Sequence, residues 1–465
     1  MTVPGDNAFL DVGVIGAGIA GFAAAISLSR AGHQITIYER SDFKNETGAA
    51  INMPPQATAL LRAWGVADSE SHEHDGDSGA STLSGTRRLD AKTAEVLLSS
   101  SFECDERDYG AGFLSFHRAD LHAALRRCAE DVGVKVVLGK MAVKLNCDSG
   151  EVVIVDSHRR TGKETIKKDL IVLADGVHSI FVEHVTGCKV PLHETGRSAY
   201  RSLVPMEKLL SDPEARKLFE HEGHHGLIGA YNTDTGVFLI AYPCRRGTLM
   251  NIAIFHRMQP EERRLSDWDS PTTIDQALSG LEGFHPAFRA MVRCAEDMRV
   301  YTVLQRDPLP NYVNGRVVMI GDAAHPMLPA LAGGGSTALE DGAALEVVLR
   351  GVKGHETRKL ANRLQLWQAL RMPRDVTMQV LSKTMLQPQP ASSFASEVRH
   401  VYTGPLPDAQ LAGWIKASRD FVCPYDTYTV TQKALEWAEK EGYPEDMMMR
   451  MQAEGIVQHF GITSS

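Results

Sequence analysis

The sequence predicts an α/β chain in three parts: a mostly parallel sheet wound with helices, an interposed domain of antiparallel strands, and a C-terminal helical region. Three observations predict it. Uninterrupted apolar runs at Val12–Ile15, Ile35–Tyr38, Asp169–Ala174 and Arg316–Ile320 read as buried parallel strands, each followed closely by glycine or an acid. Between them, Gly236–Tyr242 and Leu249–Phe255 alternate in a way that fits antiparallel strands with one wet face. From about residue 351 onward the chain is helix-prone, with Trp367, Trp414 and Trp437 as packing residues.

A chain of 465 residues exceeds the usual single-core limit. The expected division is 1–185 with 290–350, then 186–289, then 351–465. Apolar residues make up 43% and charged ones 23%, the proportions of an ordinary soluble protein. The formal net charge of -9, with no long run of Lys or Arg, argues against a nucleic-acid partner. Cysteines at 104, 128, 147, 188, 244, 294 and 423 form no C-x-x-C pair, which suggests free thiols and a cytoplasmic setting. Met1–Asn7 lacks the pattern of a signal peptide, and the final Ile-Thr-Ser-Ser is not a peroxisomal address. Leu10–Leu28 is long and nearly uncharged, but its four glycines and Asp11 read as strand, turn and helix; no membrane partner is expected. Glu70–Asp77 reads as an exposed polar loop.

The first strand leads into Gly16-Ala17-Gly18-Ile19-Ala20-Gly21 and a helix over Phe22–Ala31, with Gly32 as its C-terminal cap. Gly16 permits the tight turn, Gly18 lets backbone approach a pyrophosphate, and Gly21 allows close helix–strand packing. Backbone N–H groups and the positive helix end then face the phosphates. The second strand ends in Glu39, placed to accept hydrogen bonds from a ribose diol. This is a Rossmann-like dinucleotide site, and alone it does not separate NAD from FAD. Two later strand ends add Asp175-Gly176 and Gly321-Asp322-Ala323-Ala324-His325-Pro326. A glycine-rich turn, Gly333-Gly334-Gly335-Ser336, then opens an Ala/Leu/Glu-rich helix. Ligands of open α/β sheets collect at carboxyl ends of strands, so three acids there suggest one long cofactor.

In this order the motifs resemble the class A flavoprotein monooxygenases of the para-hydroxybenzoate hydroxylase fold, and especially their salicylate hydroxylase-like branch. Further matches are Gly48–Pro55, His117–Leu121, Ala199-Tyr200-Arg201 and Tyr242-Pro243. The resemblance implies a bound FAD, with NAD(P)H as a transient co-substrate. It places Glu39 at the adenosine ribose, Arg118 against the cofactor, and Asp322 near ribitol and pyrophosphate. Arg40, Ala50, Asp175, Gly334 and Gly335 complete the cofactor-binding set it implies. In such proteins NAD(P)H reduces the flavin, O2 adds at C4a, and the resulting hydroperoxide attacks an electron-rich ring. Gly333–Gly335 would stabilise negative charge on the reduced flavin, and Pro329 would lie near its reacting edge. A monomer or homodimer is expected.

Two departures stand out. The D-G-x-x-S-x-x-R pattern of the family ends here in Val182 instead of Arg, which puts the handling of NAD(P)H in doubt. Where a Gln-Gly pair is common, this chain has Gly333-Gly334.

Arg201 and Tyr242 are the candidates for handling a small aromatic substrate, phenolic or carboxylated. Arg offers a charged fork to a carboxylate or phenolate, and a tyrosine hydroxyl can pass a proton. The competing roles are a structural ion pair for Arg201 and a core tyrosine for Tyr242; Tyr231 is the weaker alternative. His221-Glu222-Gly223-His224-His225 carries histidines at helical spacing, but its central glycine and the lack of further ligands favour a polar turn without metal. Rival functions on this scaffold are an epoxidase or ring-oxidising monooxygenase of secondary metabolism, a flavin reductase or oxidase, and a cofactor-free binding protein.

Overall fold

The computed structural model describes residues 9–43, 49–67, 78–220, 225–264, 270–329, 331–386, 391–406 and 414–461. Glu70–Asp77, His221 and His224 lie outside them. A six-stranded sheet runs in the order Val313–Asn314, Val317–Met319, Leu170–Leu173, Asp11–Ile15, Gln34–Tyr38, Lys135–Val137. Every pair is parallel except the first. Its central strands are buried on both faces, which explains their unbroken apolar runs.

The segment Leu10–Leu28 forms strand, turn and helix, and no helix among the described residues is long and apolar enough to cross a membrane. The first helix spans Ile19–Arg30, three residues ahead of the expected start, so Gly21 lies in its first turn. The C-cap is Ala31, and Gly32 follows it in the left-handed region at φ 93°. Helix Gly333–Leu349 packs across this helix backbone to backbone: a Cβ on Gly342 would sit 2.7 Å from the Ala23 carbonyl carbon.

The second, eight-stranded sheet runs Ser270–Thr272, Met298–Arg306, Leu192–Pro205, Leu249–Arg257, Val237–Cys244, Leu227–Asn232, Gly85–Asp90, Val96–Ser101. It is antiparallel apart from the pairing of Leu227–Asn232 with Gly85–Asp90. Two sequence expectations need correction here. The sheet takes strands from 85–101 and 298–306, outside the interval 186–289, because its edges form by pairings that local periodicity does not reveal. The face expected to be wet is turned instead toward an internal cavity, and the opposite face packs on helices through Val204, Met250, Ile252, Ile254 and Phe288.

The C-terminal region forms helices Thr357–Leu386, Ala391–Val398, Lys416–Val422, Thr427–Glu441 and Met447–Ala453. Trp367, Trp414 and Trp437 are all buried. The long helix is tied to the parallel-sheet domain by buried charge. Arg371 Nε lies 2.9 Å from Asp341, Arg374 Nε 2.6 Å from Glu340, and His325 Nε2 2.7 Å from Asp341, whose other contact is the Gly321 N–H.

Candidate active site

The glycine turn after the first strand shows why these residues are glycine. Gly16 has φ 101°, and a Cβ there would lie 2.4 Å from the Ala174 carbonyl oxygen. A Cβ on Gly21 would come within 2.0 Å of the Gly16 oxygen. Gly18 differs, with nothing within 4 Å of its would-be Cβ, and it lines the cavity. Two glycines thus permit close approach of protein to itself, and the third leaves room for a ligand. Glu39 accepts the Ala17 N–H at 2.7 Å and the Ser41 N–H at 2.7 Å, which fixes its carboxylate on this turn. Carboxylate oxygens keep further lone pairs for ribose hydroxyls. Arg40 is exposed and acts on Asp175 through its charge.

The other two strand ends hold acids set among protein atoms. Asp175 Oδ1 is buried without a hydrogen-bond partner. Burial pushes its carboxyl up to about 6, against the pull of Ser179, Arg40 and Arg306. Asp322 opens onto the cavity and is exposed there. Its carboxyl is raised by desolvation and drawn down by His325, Arg118 and Arg306. Gly333 to Ser336 form the first turn of helix Gly333–Leu349 and not a turn ahead of it. Their N–H groups have no intrahelical acceptors. Ala332, the N-cap, takes φ 46°, a left-handed conformation that costs a non-glycine residue energy and marks a constrained site. A Cβ on Gly335 would meet Ile51 Cδ1 at 2.8 Å, and one on Gly334 would lie 3.5 Å from Asp322 Oδ1. A helix N-terminus, a carboxylate and an open glycine therefore line one cavity, a donor and acceptor set that fits a dinucleotide with a charged ring system.

That cavity, of about 350 Å³, runs on from Gly18, Arg118 and Asp322 to the inner face of the large sheet. There Arg201, Ile240, Tyr242, Asn251, Ala253, Phe255 and Tyr301 face Met327, Leu328, Pro329 and Trp414. The Arg201 guanidinium lies 5.4 Å from the centre of the Tyr301 ring. Tyr242 donates its hydroxyl to the Ala50 carbonyl at 3.0 Å, and Ala50 donates its N–H to Asn251 Oδ1 at 3.3 Å. Tyr242 and Asn251 are register partners on neighbouring strands, so the pair grips one residue from both sides. Burial raises the Tyr242 phenol well above its usual range.

Of the residues expected from sequence, Gly18, Ala50, Arg118, Arg201, Tyr242, Asp322, Gly334 and Gly335 lie in the cavity wall. Gly16, Gly21 and Glu39 shape the turn that carries Gly18, while Arg40 and Asp175 lie outside the wall. Tyr231 is not in the wall. Sequence reading missed Asn251 and Tyr301, although the two-residue period from Ala253 and Phe255 puts Asn251 on the same face. It also missed Trp414, for which no local signal existed. Among the described residues one group of potential metal ligands occurs, His325 with Asp341 and Asp375. Arg371 is paired with both acids, so a guanidinium holds the cationic place there.

One glycine-rich dinucleotide turn, two further acid-bearing turns and a glycine-led helix around one cavity, under a large antiparallel sheet, fit an FAD-dependent flavoprotein of the class A monooxygenase type. The comparisons agree. Residues 10–362 match the FAD binding domain family, and the chain belongs to that family. The FAD-dependent monooxygenase cfoG of Aspergillus candidus is 32% identical over 380 residues, covering 80% of this chain and 84% of its own. Hispidin-3-hydroxylase of Neonothopanus nambi is 30% identical over 441 residues, 92% of this chain and 96% of its own. Among solved structures, a salicylate hydroxylase–substrate complex superposes with TM-score 0.66 at 24% identity, covering 84% of this chain and 93% of that one. CtdE with FAD and substrate gives 0.70 at 21%, covering 92% and 100%. The chain is an FAD-dependent monooxygenase.

Proposed function

We propose that the enzyme hydroxylates a small aromatic substrate bearing a phenolic or carboxylate oxygen. In net terms, substrate, O2, NAD(P)H and a proton give hydroxylated product, NAD(P)+ and water. Bound FAD supplies the electron transfer and oxygen activation. Gly18, Asp322 and the first turn of helix Gly333–Leu349 hold it, and the protein's part is otherwise orientation and exclusion of water.

The observation that carries this reading is Arg201. Its guanidinium is buried in a cavity wall that also holds Ile240, Ala253, Phe255 and the polar Tyr242, Asn251 and Tyr301, facing Leu328, Pro329 and Trp414. A cation in a mostly apolar chamber with few polar groups is suited to an anionic oxygen on a flat ligand. Relatives named for hispidin and for 6-hydroxynicotinate as substrates support an aromatic ring. Tyr242 serves by holding Ala50 in place, its proton being committed to that carbonyl. Arg118 and Asp322, both in the cavity wall, weigh against a cofactor-free binding protein. The seven cysteines, all free thiols, support work in the reducing cytoplasm, as a monomer or homodimer. A screen of phenols and aromatic acids, reading NAD(P)H oxidation together with product mass, tests the assignment. A product gaining one oxygen atom is expected. Failure of every carboxylate and phenol, with oxygenation of a neutral alkene instead, would favour an epoxidase.

A further inference from the structure

We propose that Arg306 is a positioning residue for the cofactor cradle, joining the two acid-bearing turns through its guanidinium and bringing one positive charge near both of their carboxylates. Arg306 ends the strand Met298–Arg306 of the large sheet, yet its side chain reaches into the parallel-sheet domain and is buried. Nη2 donates to the Val177 carbonyl at 2.9 Å, and Nη1 points to the Ala323 carbonyl at 3.4 Å. Val177 lies two residues beyond Asp175, and Ala323 one beyond Asp322. One rigid fork thus spans the ends of two different strands. Its own backbone is held as well, because Gln379 Nε2 donates both to the Arg306 carbonyl at 2.9 Å and to the Pro326 carbonyl at 3.1 Å.

Burying a guanidinium is costly unless its surroundings answer the charge. Neither hydrogen-bond acceptor is a carboxylate, so the answering charges are Asp175 and Asp322. The groups acting on Asp175 are Arg40, Ser179 and Arg306; those acting on Asp322 are His325, Arg118 and Arg306. Among the described residues, Arg306 is the cation common to both sets. Val182, the position without the expected arginine, is packed in the apolar core with Phe181 and Val185. The one positive charge shared by Asp175 and Asp322 therefore comes from the other sheet, beside Arg40 at the first acid and Arg118 and His325 at the second. Desolvation lowers the Arg306 guanidinium, and the two acids offset that loss.

Hydroxyls of FAD donate to ionised carboxylates, so affinity for FAD falls as the acids take up protons. The test is FAD affinity across pH 5–8.5, by fluorescence titration of the apoprotein, for wild type, R306M and R306K, with thermal unfolding of each apoprotein alongside. R306M fills the space without charge. It is expected to weaken FAD binding at pH 7 by roughly tenfold or more, and to move the acid limb of the affinity profile upward by about one pH unit. R306K keeps the charge and loses the fork, so weaker binding with an unmoved acid limb is expected. A loss that is uniform in pH for R306M overturns the electrostatic role, and wild-type affinity in both variants overturns the proposal. Should R306M not fold, R306K decides alone: a shifted acid limb, or unchanged affinity, defeats it.

Discussion

Replacing Tyr242 by Phe removes one hydroxyl and leaves the ring in the cavity wall. The structure fixes what that hydroxyl does: it donates to the Ala50 carbonyl at 3.0 Å, while Asn251 holds the Ala50 N–H from the next strand. Ala50 begins the strand Ala50–Met53, and the following Ile51 abuts Gly335 at the start of helix Gly333–Leu349. Loosening Ala50 therefore loosens the cavity wall beside Gly335, where the flavin is proposed to rest. Losing the donor while leaving a buried carbonyl unsatisfied costs about 1–3 kcal/mol. If that cost falls on the FAD-bound form, the dissociation constant for FAD rises by roughly 5- to 150-fold. The assay is a titration of apoprotein with FAD, run beside product yield per NAD(P)H consumed. Tyr242→Phe should weaken FAD binding and lower that yield together, and Asn251→Ala should do the same. The double variant should lose less than the sum, since both grip one residue. Normal FAD affinity with a selective loss of product formation would refute this reasoning and return Tyr242 to direct proton transfer.

Arg201→Ala should slow product formation by more than about tenfold with the flavin spectrum unchanged, because a charge-assisted hydrogen bond is worth roughly 1.5–3 kcal/mol; full coupled turnover would make Arg201 structural. Asp322→Ala should yield protein that loses FAD on gel filtration, and a yellow, stoichiometric variant would contradict its place in the cradle. A third expectation concerns pH. Burial lowers the His325 imidazolium, but Asp375 and Asp341 outweigh that and lift it to about 9, against 6.5 in the unfolded chain. Burial likewise lifts Asp375 from 3.8 to about 8, countered by Arg371. The folded chain thus holds more protons than the unfolded one, so stability falls as pH rises from about 6.5 through 9. Thermal unfolding across that window should show the fall, and His325→Gln should flatten it; a melting temperature that is level or rising in the wild type would disprove the assignment.

The cofactor half of the site was legible because its signals are local. Gly16, Gly18 and Gly21 sit within one turn, and the acids at 39, 175 and 322 each end or follow an apolar run that can only be a buried strand. At Gly16 and Gly21 backbone geometry itself requires glycine, as the 2.0 Å approach at Gly21 shows. The substrate half was less legible. Arg201 and Tyr242 came from short matches, and the role first assigned to Tyr242 does not suit a hydroxyl already bound to Ala50. Asn251, Tyr301 and Trp414 meet only after strands from 192–205, 249–257 and 298–306 pair and the C-terminal helices dock. No periodicity in one segment encodes a meeting of three. The pairing of Gly85–Asp90 is equally hidden from local patterns, because its partner strand lies about 140 residues away.

The C-terminal region shows how much such distant docking matters to the chemistry. From sequence it is a set of packing helices, and its tryptophans do pack. Yet the stretch leading to Pro329 is held in part from the long helix Thr357–Leu386. His325 is fixed through Asp341 to Arg371, the Pro326 carbonyl accepts from Gln379, and the Leu328 N–H donates to Ser382 Oγ at 3.1 Å. These bonds fall within residues 325–328, of which Met327 and Leu328 line the cavity with Arg201 and Tyr301. Arg371, Gln379 and Ser382, which hold that stretch, do not themselves line the cavity. Gln379 also joins it to the strand end bearing Arg306. A catalytic geometry divided between two sheets needs a third element to hold them, and in this enzyme the long helix is that element.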